Sequence, residues 1–123
     1  MSYRVLLVDC DRVASAATAQ LLSAAGYLSE VVHSFEMAVQ ELARGCPDLL
    51  VTPVRLGQFN GLHLVLRCRV EYPHLPIVLT GESSDAGLED EAAQYGVRFV
   101  HKSTEPQRLL RLVDEMLVGP AAV

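Results

Sequence analysis

The stretch Pro47-Asp48-Leu49-Leu50-Val51-Thr52-Pro53 decides the fold of this 123-residue chain. Asp48 to Thr52 reads as a strand, opened by one proline and stopped by the next. Proline has no backbone N–H, so it is tolerated where a strand has just ended and needs no further ladder bond. A second run, Arg4-Val5-Leu6-Leu7-Val8, is continuously apolar, as expected for a strand buried on both faces of a parallel sheet.

Working outward, strands alternate with helical patterns. Arg12 to Ala25 is alanine-rich and ends at Gly26, a residue suited to a helix C-terminus. Tyr27 to Val32 is a second strand. Ser34 can cap a helix whose apolar face is Phe35, Ala38, Val39 and Leu42, closed by Arg44-Gly45. After Thr52, Pro53 to Asn60 reads as a loop and Gly61 to Tyr72 as a helix stopped by Pro73. Pro76 to Thr80 is a fourth strand, Ser84 to Tyr95 a helix, and Val97 to Val100 a short fifth strand. The last helix runs from near Thr104–Pro106 to about Val118, with Leu109, Leu112, Val113, Met116 and Leu117 facing inward. Five strands and five helices in alternation imply a three-layer αβα domain with a parallel sheet and right-handed crossovers. The whole chain, 1–123, is expected to be one domain, with a core over about 3–118 and a frayed tail over 119–123.

Composition narrows the function. Half the residues are hydrophobic and 20% are charged, a globular balance rather than a disordered one. Ten basic residues against fifteen acidic ones give a net charge of −5, which argues against binding a nucleic-acid backbone. No apolar run is long enough to span a membrane, and Tyr3 to Val8 is strand-sized rather than a secretory signal. Cys10, Cys46 and Cys68 have no metal-like spacing, and a reducing cytoplasm suits them. Cys46 and Cys68 are expected to be buried or half-buried, and Cys10 to be a packing residue.

In a sheet of this kind ligands bind beyond the carboxyl ends of the strands. Those ends carry Asp9-Cys10-Asp11, Thr52-Pro53, Thr80 and Lys102. Together with Val5-Leu6-Leu7-Val8-Asp9, Pro47-Asp48-Leu49-Leu50, Asn60-Gly61-Leu62, Pro76 to Gly81 and Phe99-Val100-His101-Lys102, they make nearly the whole chain resemble the receiver domain of two-component response regulators. The resemblance implies a flavodoxin-like strand order, 2-1-3-4-5, and a place in phosphorelay signalling.

It also implies a site. In the family, two adjacent acids after the first strand and an aspartate after the third hold magnesium, which takes hard oxygen ligands and offsets charge on the transferring phosphoryl group. Asp9 matches the first acid, and Cys10 stands where the second belongs, a soft and poor magnesium ligand. Asp11 lies one place further on and is expected to point away. Pro53 replaces the phosphoacceptor, so no residue is assigned a catalytic role. Thr80 matches the phosphate-binding hydroxyl of the family, Lys102 its phosphate-binding lysine, and Phe99 the aromatic that moves with the hydroxyl as a switch. Ser103 sits where the family has a cis-proline, so a trans bond is expected there. Magnesium is expected to bind weakly or not at all, through Asp9 if at all, with Asp9 and Lys102 approaching each other.

The function expected is a pseudo-receiver, a phosphorylation-independent signalling module without enzymatic activity. The alternative is a receiver still phosphorylated at a non-standard residue, for which Thr52 is the nearest hydroxyl. A flavin or nucleotide site would need a glycine-rich phosphate cradle, whereas Asp9-Cys10-Asp11 repels phosphate. A protein partner or a second copy is expected on one of two surfaces. One is the face of the fourth helix, fifth strand and fifth helix, with Leu110 as its apolar anchor. The other is the first helix, where Ala14-Ser15-Ala16-Ala17-Thr18-Ala19 permits close approach.

Overall fold

Strand β1 (Arg4–Val8) lies inside the sheet, and four of its five residues are buried, which is why its sequence carries no polar alternation. The computed structural model describes residues 2–82, 86–101 and 106–119. The chain continues through α1 (Arg12–Ala24), β2 (Leu28–Val32), α2 (Phe35–Arg44) and β3 (Leu49–Pro53). A small hairpin, β4 (Arg55–Leu56) and β5 (Phe59–Asn60), leads to α3 (Gly61–Glu71). Then come β6 (Ile77–Gly81), α4 (Ala86–Gln94), β7 (Arg98–His101) and α5 (Pro106–Leu117). The five long strands are parallel in the order β2-β1-β3-β6-β7. With the hairpin set aside, this is the flavodoxin-like order 2-1-3-4-5.

Helices cover both faces. On one, α2, α3 and α4 pack Ala38, Leu42, Leu64, Val65, Cys68 and Ala92 onto Leu6, Leu50, Ile77 and Leu79. On the other, α1 and α5 pack Leu22, Leu112 and Val113 onto Val5, Leu7, Leu49, Val51, Val78 and Val100. The apolar stripes foreseen for α2 and α5 are the ones that face the sheet. Among the described residues, side-chain oxygens cap three helices: Asp11 accepts from Val13 and Ala14, Ser34 from Met37, and Asn60 from Leu62.

Two corrections concern the segment after Thr52. The strand does not stop before Pro53; it includes it. Leu50 donates its N–H to Pro76 and Val54 donates to Thr80, so alternate residues of β3 turn their N–H groups to β6. Pro53 has the other parity and faces β1. Its missing N–H therefore ends the β1 ladder, whose last register pair is Leu7↔Val51, and spares the β6 ladder, where Pro53 still pairs with Thr80. The expected loop over 53–60 also holds the hairpin, turned at Gly57 (φ 62°) and Gln58, with Leu56 opposite Phe59. A positive φ at the first loop position is what a type II′ turn asks of glycine. Gly61 is required for a different reason. A Cβ there would stand 1.9 Å from the Pro53 carbonyl oxygen, so only glycine lets α3 begin this close to β3.

Candidate functional site

A cleft of about 390 Å³ opens at the carboxyl ends of the strands, between α1 and α5. Its floor is Leu7, Val8, Val51 and Val100, and its walls include Ala14 and Thr18 of α1 and Leu109 of α5. Asp9, Asp11, Thr80, Glu82 and His101 stand around its mouth. The strand-end positions singled out in the sequence therefore converge only in part.

Asp9 is half-buried and held from several sides. Its Oδ1 accepts from the Asp11 N–H at 2.9 Å. Its own N–H donates to the Val32 carbonyl, and its carbonyl accepts from His33 Nδ1 at 2.9 Å. These bonds fix the β1–α1 corner, the anchoring role of an acid beside helix N–H groups. Asp11 borders the cleft, but one of its oxygens accepts from both Val13 and Ala14 at 3.0 Å as the cap of α1. Cys10, expected to be packed, is exposed between them. Corner geometry explains this: with Asp9 turned to the loop and Asp11 to the helix, the intervening side chain faces solvent.

Thr80 lines the cleft as expected. Thr52 and Pro53 do not. Thr52 is wholly buried, its side chain alternating to the face opposite residue 53, and its Oγ1 donates to the Pro53 carbonyl at 3.3 Å. Pro53 is buried at the strand end against Gly61. Asp48 lies at the opposite end of the sheet, where it accepts from the Arg4 N–H at 2.7 Å. Lys102 and Ser103, with the foreseen Asp9–Lys102 approach and the trans bond, lie outside the described residues, as does the tail from 120 onward. Gly119 is described: its N–H donates to the Asp114 carbonyl, so it closes α5.

Register separates the two switch-like residues. Leu79 pairs with Phe99 and Thr80 with Val100, and partners in a parallel ladder share a face. Thr80 therefore points with Val100 into the cleft, whereas Phe99 packs with Leu79 toward α2, α3 and α4. The ring that Phe99 meets is His101, edge-on at 5.3 Å and 78°. His101 borders the cleft and also a second groove of about 390 Å³ between α4, β7 and α5. In that groove Arg98, Arg108 and Arg111 face Glu89 and Glu115. Arg98 pairs with Glu115 at 3.8 Å, and His101 Nε2 lies 3.9 Å from Glu89. Sequence reasoning did not single out His101, because only the register of β7 places it between two openings.

Leu110, the foreseen partner anchor, is half-buried and packs on the α1–α5 side of the core. The exposed apolar residue on α1 is Val13, at 82% exposure. Among the thiols, Cys68 is buried and Cys46, against expectation, is exposed. Burial pushes the Cys68 thiol up to about 11, so it stays protonated and serves as a core residue.

The model of the response regulator receiver domain family matches residues 5–114, and the chain belongs to that family. The response regulator FleR of Pseudomonas aeruginosa is 32% identical over 120 residues, covering 97% of this chain and 25% of that protein. The response regulator MprA of Mycobacterium ulcerans is 35% identical over 99 residues, covering 73% of this chain and 43% of its own length. The chain thus spans between a quarter and a half of these relatives. A CheY-like receiver domain protein from Methanospirillum hungatei, 19% identical, superposes with a TM-score of 0.89 over 96% of this chain and 95% of that one, a likeness of fold. The chain is a receiver domain of two-component signalling, and no described helix is long and apolar enough to cross a membrane.

Proposed function

We propose that this receiver acts without phosphorylation, as a protein-interaction module of the cytoplasm rather than an enzyme. One observation carries the reading. The residue that ends β3 in register with Thr80 is Pro53, which offers no side-chain oxygen to accept a phosphoryl group. Thr52, the adjacent hydroxyl along the chain, is wholly buried on the opposite face of the strand, which argues against its use as a substitute acceptor. The residues also fit magnesium poorly. Asp9 and Asp11 direct carboxylate oxygens at the N–H groups of the β1–α1 corner, and the residue between them offers a soft thiol. Three free cysteines support a reducing compartment.

The surface we assign to a protein partner or a second copy is the α4–β7–α5 groove, where arginines of β7 and α5 face glutamates. Val13 makes α1 the second candidate. Because Leu110 is part of the packing, charge reversal at Arg111 is the cleaner probe of the first surface.

Incubation with acetyl phosphate and magnesium, read by intact mass, tests the reading. Unchanged mass is expected, with calorimetric magnesium affinity no tighter than roughly millimolar. A gain of one phosphoryl group or micromolar magnesium binding would overturn it.

A further inference from the structure

We propose that the outer side of the α2–α3–α4 layer binds a basic amphipathic helix of a partner protein, seated along α3. The proposal goes beyond the phosphorylation-independent reading and does not rest on it, because none of the residues it uses lines the strand-end cleft. α3 is apolar on more than the side that packs. Leu62, Leu64, Val65 and Cys68 are buried. Turned away from them, Leu66 and Val70 stand exposed one turn apart, Val70 at 82%. Apolar residues at i and i+4 are the anchors by which one helix engages another.

Charge decides what kind of partner fits. α3 is the middle helix of its layer. Tyr72, at its end, donates its hydroxyl to the Leu42 carbonyl of α2, and Arg69 reaches the Tyr95 carbonyl just past α4. The helices follow parallel strands and run the same way, so Glu91, one turn before Tyr95, stands about level with Leu66. The guanidinium groups of the layer are already engaged. Arg44 pairs with Glu41 at 3.5 Å and Arg67 with Glu71 at 3.6 Å, and Arg69 donates to the Tyr95 and Leu75 carbonyls. Glu36 of α2 and Asp90 and Glu91 of α4 are exposed and, among the described residues, meet no cation. The link Ser83-Ser84-Asp85 holds no base, and Lys102 belongs to the link from β7 to α5, a helix of the other face. The field over the α2–α3–α4 side is therefore negative. A helix with an apolar stripe between lysines or arginines complements both features, whereas a second copy would set these carboxylates against their own.

The test is titration of the full chain, labelled with nitrogen-15, with a synthetic amphipathic helix of leucines and lysines, and with the same helix carrying glutamate at every lysine. The lysine helix should give saturable amide shifts centred on Leu66, Arg67, Val70 and Glu91, with affinity that falls as salt is raised. The glutamate helix should bind at least about tenfold more weakly. Val70→Asp, at an exposed position, should weaken binding of the lysine helix by at least about tenfold at an unchanged melting temperature. Asp90→Lys combined with Glu91→Lys leaves the apolar pair intact; it should weaken binding about fivefold, and it serves if Val70→Asp does not fold. Shifts spread over the whole surface, equal binding of the glutamate helix, no saturable binding of the lysine helix, or indifference to both variants would overturn the proposal. The mass measurement with acetyl phosphate tests the other reading and is untouched by any of these results.

Discussion

The two faces of the sheet are closed to different degrees. On the α2–α3–α4 face, Leu50, Leu64, Ile77 and Leu79 are wholly buried. Arg69 fastens α3 there by donating from Nε to the Tyr95 carbonyl at 2.7 Å and from Nη1 to the Leu75 carbonyl at 2.8 Å. Gly61 brings the start of α3 against Pro53. The α1–α5 face has an equally apolar floor, and Tyr27 ties its far end to α5 by donating its hydroxyl to Asp114. At the carboxyl ends of the strands, however, that face opens into the cleft. The difference shows where this fold leaves room: one face is closed by its helices, and the other opens at the carboxyl ends of the strands.

The contrast breaks most readily at Gly61. Gly61→Ala should cost more than about 3 kcal/mol in denaturant unfolding, because the obstacle is backbone and cannot swing aside. Gly87→Ala, where an added Cβ meets nothing within 4 Å, should instead stabilise the chain by roughly 0.5–1 kcal/mol. Equal effects at the two glycines would mean that the close approach of α3 to β3 is not a constraint.

Truncation of the two cores comes next. Leu64→Ala should cost about 3 kcal/mol, and Leu109→Ala, beside the cleft and half-buried, about 1 kcal/mol. Similar losses would show that the α1–α5 face is as closed as the other. Arg69→Met keeps the stem and removes the guanidinium, leaving two carbonyls to find water. A loss of about 2 kcal/mol is expected, read with the same denaturant.

The smallest effect sharpens the far end of the α1–α5 face. Tyr27→Phe should cost about 1 kcal/mol. Burial, reinforced by the Asp114 carboxylate, holds the Tyr27 phenol well above its ordinary range. The folded state therefore keeps this proton when the unfolded chain has lost it. The stabilisation is whole below about pH 10 and fades as the pH rises beyond it. Wild-type stability should fall more steeply than that of Tyr27→Phe in alkaline solution, and parallel curves would remove the hydrogen bond from the account.

Much of the architecture was legible because burial on both faces leaves a mark that composition alone carries. Runs such as Val5 to Val8 have no polar alternate, and the stripes of α2 and α5 repeat at helical spacing. The hairpin at 55–60 was missed, although Gly57 between Leu56 and Phe59 was the available signal; two-residue strands are too short for alternation to show. Cys10 and Leu110 were misplaced for a shared reason. Periodicity describes one element at a time. The exposure of Cys10 depends on how the corner is pinned by Asp9 and Asp11, and that of Leu110 on its packing beside the core on the α1–α5 side.

The order of strands and helices, the receiver family and the identity of residue 53 were settled by the sequence itself, since each follows from local pattern or from the presence of a particular side chain. Which hydrogen bonds Pro53 forgoes, how Thr80 and Phe99 come to face opposite sides, and why His101 stands between two openings were decided only in three dimensions. Strand register sets all of these, and register comes from how distant segments pair, a relation that no single stretch of chain encodes.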